Sequence, residues 1–308
     1  MVIGQGDTTR YLSEADVRRI VADGFAQAAI DGARVLVLIP DATRTMPMAL
    51  MFDALSETLG PRAAALDFLV ALGTHQPMPD EHLSRLIGRP VVDGRAGGSR
   101  IFNHRWDLDG TFATLGTIPA AEIAQLSGGR LSADVPVALN RLVLDYDHIV
   151  ICGPVFPHEV VGFSGGTKYL FPGIAGPDII NFTHWLGAVI TSSAVIGAGY
   201  TPVRAVIDRA ASMLDRPMSC VSLVVTYEGV AGLYVGPPRE SWEAAAALSS
   251  RTHIVWVDRP FTRVLSVMPT MYDDLWTAAK GMYKLEPAMA DGGEIVIFAP
   301  HITEVSYT

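Results

Sequence analysis

Apolar residues recur at three- and four-residue spacing from Val17 through Ile20, Val21 and Phe25 to Ala28, behind Ser13-Glu14-Ala15-Asp16. That spacing lines one helical face, and a serine followed by acids is an N-terminal cap signal, so a helix is predicted to about residue 29. The period then changes. Val35-Leu36-Val37-Leu38-Ile39 is an unbroken apolar run, the mark of a strand buried on both faces, and it stops at Pro40-Asp41. A helical stretch over 46–59 and a second apolar run over 65–72, ended by Gly73-Thr74-His75, repeat the unit. Such alternation favours a parallel sheet.

From 89 to 134 the pattern weakens, with turns at Gly94, Gly97 and Gly98 and short strands expected at 101–103 and 111–113. A strong strand over 147–152 follows. Beyond it the pattern predicts a helix over 203–214, a strand over 220–226, an Ala-rich helix over 240–249 and a strand over 253–257. Asp258-Arg259-Pro260 is the best candidate boundary, followed by a strand at 263–267, a helix at 274–282 and a strand at 294–299. The expected organisation is a large α/β domain with a mostly parallel sheet over 1–257 and the start of a second α/β domain over 258–308. That last piece is thin for an independent core.

Composition narrows the function classes. Hydrophobic residues make up 49% and charged residues 18% of the 308, ample for a buried α/β core. A formal charge of −9 argues against nucleic acid, although a small anion can still be held where a few cations converge. Cys152 and Cys220 sit far apart in apolar runs and give neither a disulfide framework nor a zinc pattern. Residues 1–12 lack the apolar stretch of a secretory signal, and no run approaches the roughly 20 apolar residues of a membrane span. A cytoplasmic protein with no membrane partner is expected.

Candidate chemistry gathers after three strands: Asp41 and Arg44 after the first, His75 after the second, His158 after the third. Ligands of open α/β sheets bind beyond the carboxyl ends of strands, so these groups can converge. Arg44 is a fork for a carboxylate or phosphate; alternatively Asp41 caps a helix and Arg44 is solvated. His75 and His158 have the side chain suited to proton exchange near neutrality. Ser164-Gly165-Gly166-Thr167-Lys168 resembles a phosphate cradle without the full P-loop spacing, and Lys168 reads as a phosphate partner, a nucleophile or a surface lysine. His184, alone among apolar residues, makes no metal site by itself. Lys280 reads as a solvated helix lysine unless its helix faces the cleft.

Taken in order, Asp41-x-x-Arg44, Gly73-Thr74-His75, Pro157-His158 through Gly162-x-Ser164-Gly165-Gly166-x-Lys168 to Pro172-Gly173, His184 and Ala279-Lys280-Gly281 resemble the lactate racemase family. The resemblance spans about Leu36 to Met282. It implies two α/β domains with the active site in the cleft between them, and a nickel-pincer nucleotide cofactor, a pyridinium mononucleotide holding nickel. On that resemblance Lys168 can tether the cofactor, His184 is the protein's nickel ligand, and His75 and His158 are the acid/base pair. Arg44 and Lys280 would hold the substrate carboxylate, Asp41 would assist, and Ser164, Gly165 and Gly166 would approach the cofactor.

The implied activity is inversion at C2 of a 2-hydroxy acid through a 2-keto acid, with cofactor-biosynthesis proteins as loading partners. Where the family's best-known racemases carry a glutamine three residues before the lysine, this chain has Thr277, preceded by Trp276. A substrate larger than lactate, such as an aldonate or a branched or aromatic hydroxy acid, is therefore expected at those two residues. The chain is shorter than usual for the family, so its second domain is expected to be incomplete. Two other readings stand beside this one: a non-catalytic, cofactor-binding or truncated homologue, and an ordinary nucleotide- or phosphate-sugar-binding α/β enzyme.

Overall fold

The computed structural model describes residues 1–306. Its strands in chain order are β1 (Ile3–Gly6), β2 (Arg34–Ile39), β3 (Ala65–Val70), β4 (Arg95–Ala96), β5 (Ser99–Asn103), β6 (Phe112–Ile118) and β7 (Val135–Asn140). Then come β8 (His148–Pro154), β9 (Pro157–His158), β10 (Gly162–Phe163), β11 (Met218–Val225), β12 (Val230–Gly236), β13 (Phe261–Val267) and β14 (Met289–Phe298). The main helices are α1 (Glu14–Phe25), α2 (Met48–Leu59), α3 (Asp80–Ile87), α4 (Ala120–Leu126) and α5 (Pro177–Ile190). After the short α6 (Ser192–Val195) come α7 (Pro202–Ala211), α8 (Pro238–His253), α9 (Leu275–Ala278) and α10 (Lys280–Tyr283).

Eight strands form one sheet in the order β1-β12-β11-β8-β2-β3-β5-β4. The five central strands, β11, β8, β2, β3 and β5, are parallel, and only the flanks are antiparallel. The expected mostly parallel α/β architecture is therefore present. Alternation along β2 explains the layers. Val35, Val37 and Ile39 enter a core with α1, α2 and α3, while Leu36 and Leu38 enter a second core with α5 and α7. A continuous apolar run is what a strand covered on both faces requires.

The winding direction places the site. From β2 the chain adds β3 and then β5 on one side, and later β8 and β11 on the other. The reversal lies between β2 and β8, and a crevice opens there beyond the strands' carboxyl ends.

Three expectations from the apolar pattern need correction. α1 stops at Phe25, short of residue 29, because Arg62 draws the following turn inward through the carbonyls of Phe25 (2.7 Å) and Ala28 (2.8 Å). Residues 254–257 form no strand: α8 continues to His253, and Val255 and Trp256 are 83% and 89% exposed. β11 already has β8 on one side and β12 on the other, so no edge is left there for that segment. The helix expected over 274–282 is two short helices, α9 and α10, meeting at Ala279. β13 and β14 pair with each other and with no strand of the main sheet.

Candidate active site

The loop after β2 is built around a carboxylate. Asp41 is buried and accepts from the Thr43 backbone N–H (3.0 Å) and hydroxyl (2.6 Å) on one oxygen and from His75 Nδ1 on the other (2.5 Å). It does not cap α2, which begins at Met48 behind Pro47. Burial pushes the Asp41 carboxyl up, but the His75 bond, the charges of His75 and Arg44 and the Thr43 hydroxyl outweigh it and bring its pKa to about 2. An ionised carboxylate only accepts, so His75 carries a proton on Nδ1; in its neutral form Nε2 keeps a lone pair. The His75 loop is braced by Gly73 N–H to the Gly173 carbonyl (2.9 Å) and by Trp106 Nε1 to the His75 carbonyl (2.8 Å).

This bond makes acid stability a test. The folded pKa of Asp41 lies below its unfolded value, so its contribution is full above about 4 and disappears as pH falls through about 2. The shift corresponds to roughly 2 kcal/mol. Asp41→Asn should lower stability at pH 7 by about that amount and flatten the acid limb of the urea midpoint. An unchanged limb would mean that Asp41 is not held ionised by His75.

The loop after β8 presents the second histidine in the opposite tautomer. β9 and β10 form a two-residue hairpin with Gly162 opposite His158. Gly162 has φ +87°, and a Cβ there would meet the Ala198 carbonyl oxygen at 2.3 Å, so only glycine fits. The backbone N–H of Val160 donates to His158 Nδ1 (3.1 Å). A backbone N–H can only donate, so neutral His158 carries its proton on Nε2. Burial drives its pKa well below the usual value, with the charges of Lys168, Lys280 and Arg44 adding and Glu159 opposing.

Beneath this hairpin the Ser164–Gly166 turn is clamped from behind. Buried Arg204 donates to the Phe163 (2.5 Å) and Gly165 (3.0 Å) carbonyls, and Trp242 Nε1 donates to the Ser164 carbonyl (2.8 Å). The Arg204 guanidinium also lies 4.3 Å from the Trp242 ring centroid. The Ser164 hydroxyl donates to the Pro154 carbonyl (2.8 Å) and accepts from Phe156 N–H (2.9 Å), so it braces the loop. Gly165 lines the crevice, whereas Gly166 faces Trp242 and the Cys220 thiol.

The crevice is a recess open to solvent and lined by Asp41, Arg44, His75, Ser164, Gly165 and Lys168, among others. Arg44 has no carboxylate partner within ion-pair distance among the described residues; it bonds the Thr43 hydroxyl (2.7 Å) and lies 6.0 Å from the Phe156 ring centroid. Lys168 stands in a 3₁₀ turn, Gly166–Tyr169, and its ammonium forms no ion pair among the described residues. Burial, with the charges of Arg44 and Lys280, lowers its pKa to about 7 against the pull of Glu159. The chain has three lysines against 20 arginines, and Lys168, Lys280 and Lys284 all feel the charge of Glu159. At pH 8 Lys168 should be largely unprotonated while an ordinary lysine, near 10.4, is charged. Limited acetylation read by peptide mass spectrometry should therefore label Lys168 ahead of Lys280; the reverse order would contradict a desolvated, uncommitted amine.

His184 sits on the exposed side of α5 and donates from Nδ1 to the Ile180 carbonyl (2.7 Å). Its Nε2 lone pair is thereby left for a metal. The protein packed around it, with the charges of Lys168 and Lys280, keeps it neutral by lowering its pKa, outweighing the Ile180 bond and Glu159.

The C-terminal segment brings Lys280 to the site. Lys280 Nζ on α10 donates to Glu159 Oε1 (2.7 Å). Thr277 and Trp276 are not brought to the recess. The Thr277 hydroxyl is held by Asp274 in the cap of α9, and Trp276 is 53% exposed in a separate shallow groove with Leu275, Ala279 and Val305. Residue spacing had not singled out Glu159, Arg204 or Lys284. Glu159 carried a usable signal, an acid between a histidine and the apolar stretch Val160-Val161-Gly162-Phe163. The role of Arg204 depends on the distance α7 travels to reach the turn and had none.

The chain is thus an open, mostly parallel α/β protein with its candidate groups gathered at the switch point between β2 and β8, and comparison with known proteins narrows that class. The profile of the lactate racemase N-terminal domain matches residues 15–197, more than half of the chain. The chain belongs to that family. It is 26% identical over 152 residues to a lactate racemase of Thermoanaerobacterium thermosaccharolyticum, covering 49% of this chain and 32% of that protein. It is 27% identical over 167 residues to a lactate racemase of Lactiplantibacillus plantarum, covering 54% and 35%. The matched segments thus span about a third of the curated relatives. A crystal structure of a Thermotoga maritima protein superposes with TM-score 0.86 at 30% identity, over 98% of this chain and 74% of that one. The lactate racemase apoprotein from T. thermosaccharolyticum superposes with TM-score 0.76 at 20% identity, over 97% and 69%, and shares the fold.

Proposed function

We propose that this protein inverts C2 of a 2-hydroxy acid in the crevice between β2 and β8, using a nickel-pincer nucleotide. The observation that carries the reading is the opposite tautomers of the two histidines: His75 offers an Nε2 lone pair and His158 an Nε2–H. A neutral His75 can take a hydroxyl proton, and His158, once it carries a second proton, can return one, which is what inversion through a planar 2-keto acid needs.

The residues present fit the cofactor. Among the described residues no group of three or more His, Cys, Asp or Glu side chains is arranged to hold a metal, and the proposal assigns the metal's remaining ligands to the cofactor itself. His184 Nε2 would complete its coordination, and the Lys168 amine, of lowered pKa, is the group that can tether the nucleotide. When bound, that group supplies an acceptor and donor for the C2 hydride. The chain's own work is to hold the substrate carboxylate at Arg44 and Lys280 and to move the hydroxyl proton at His75 and His158. Trp276 and Thr277 lie outside the recess, so the choice of substrate is proposed from the sequence difference at these positions alone. On that difference the proposed substrate is a 2-hydroxy acid larger than lactate, such as an aldonate or a branched or aromatic acid.

The test is a panel of single-enantiomer 2-hydroxy acids given to protein produced with the cofactor-biosynthesis proteins as loading partners, read by chiral chromatography alongside nickel analysis. Nickel with inversion of at least one acid is expected. Nickel without any inversion supports a non-catalytic cofactor binder, and neither supports an ordinary nucleotide-binding protein.

A further inference from the structure

The two histidines differ in how their Nδ1 atoms are served. At His75 the Asp41 carboxylate is bonded directly to Nδ1 at 2.5 Å. At His158 a buried carboxylate is also present, but Glu159 Oε2 stands 3.6 Å from Nδ1, too far for a hydrogen bond, while its Oε1 holds Lys280 at 2.7 Å. Val160 N–H takes the place at Nδ1 that the carboxylate would occupy. His75–Asp41 is a closed pair, and His158–Glu159 is an open one whose acid is engaged elsewhere.

The open pair has a chemical consequence. With Nδ1 accepting, His158 can donate from Nε2 but has no lone pair there, so in this arrangement it cannot serve as a base at that atom. To work in both directions it must carry a proton on Nδ1, and that proton needs an acceptor. Glu159 is the one carboxylate within ion-pair distance of His158 among the described residues. The charges that face His158 from other elements are all cations, Arg44 in the loop after β2, Lys168 in the 3₁₀ turn and Lys280 on α10, and they oppose a proton on the ring while Glu159 remains engaged.

We propose that Glu159 is the positioning residue of His158 and that Lys280 is its lock: an anion that draws Lys280 away frees Glu159 to hold a proton on His158 Nδ1. The balance closes. The anion brings one negative charge to Lys280, and the stranded Glu159 carboxylate, too buried to remain unpaired cheaply, is compensated by one proton taken from solvent onto His158. The imidazolium then gives its Nε2 proton to the substrate oxygen and is left as the Nδ1–H tautomer with an Nε2 lone pair; the reverse step restores it. Arrival of a substrate carboxylate would thus arm the second base. This last step rests on the proposed inversion, whereas the change at His158 does not.

The experiment uses the full chain without cofactor, labelled with ¹⁵N-histidine, and 2-hydroxyisobutyrate as probe, a 2-hydroxy acid with no hydrogen on C2. The His158 signals are identified by their loss in His158→Gln, and unchanged His75 signals report an intact site. His158 should be the neutral Nε2–H form without probe and gain a proton on Nδ1 when the probe saturates. Lys280→Met should show the Nδ1 proton without probe, and Glu159→Gln should show it under neither condition. An Nε2–H ring in folded Lys280→Met, or a Glu159→Gln protein that responds to probe as wild type does, overturns the proposal. In loaded protein, Glu159→Gln should lower kcat by up to roughly 10²-fold with KM unchanged or lower, and Glu159→Asp should restore part of it. Failure of the inversion reading appears separately, as absence of turnover in wild type with the spectra unaffected.

Discussion

His75→Ala and His158→Ala should each abolish interconversion of the enantiomers, lowering kcat by roughly 10²- to 10⁴-fold, the range a positioned acid or base contributes. The effects should not be identical in kind. Asp41 fixes the His75 proton on Nδ1, so the His75 variant should lose a base whose Nε2 is already oriented before substrate arrives. His158 is buried and held neutral among cations, so its loss removes a group that becomes competent with substrate present. Each variant should be slow in both directions, because inversion needs one proton removed and one returned whichever enantiomer enters. Steady-state rates from both enantiomers, with urea midpoints to confirm folding, check this. Near-normal turnover by either variant removes the two-base assignment.

His184→Ala should lower nickel retention while leaving the fold intact. The ring is on the exposed side of α5, where substitutions shift stability by no more than about 0.5 kcal/mol. The proposed ligand role rests on one bond, Nδ1–H to the Ile180 carbonyl, which leaves the Nε2 lone pair free. Removing a group that only supports a ligand costs metal affinity roughly 10- to 100-fold; removing the ligand itself should exceed that. Nickel per chain after gel filtration, measured beside a melting curve, gives the answer. Full nickel content in the folded variant would move the ligand role elsewhere. The same measurement on Lys168→Ala separates tethering from coordination: nucleotide should be lost on denaturing dialysis from that variant and retained by wild type.

The parallel core was legible because β2, β3 and β8 are covered on both faces and so read as unbroken apolar runs. β12 was not, since its Gly232 and Tyr234 interrupt the run and its pairing with β11 depends on the turn at Gly229. The strand expected at 253–257 shows the limit of local pattern: Val255, Trp256 and Val257 have strand character, but no neighbouring sheet edge is free. At the site, histidines and lysines declared themselves by residue type. Their partners did not. The tautomer of His75 depends on a carboxylate 34 positions away and that of His158 on a backbone N–H two positions away, and both are properties of loop geometry. Trp276 and Thr277 were legible only by position relative to Lys280, and the turn from α9 to α10 carries Trp276 away from the recess.

The most direct test of inversion by hydride transfer is the fate of a deuterium at C2. Nickel-loaded protein is given one enantiomer of a C2-deuterated 2-hydroxy acid that it turns over, in ordinary water, and the product is analysed by chiral chromatography and mass spectrometry. Retention of the deuterium in the inverted product is expected, because only the hydroxyl proton passes through His75 and His158. Washout of the label during inversion would show that C2 gives up a proton to these residues instead, and would contradict the proposed division of labour.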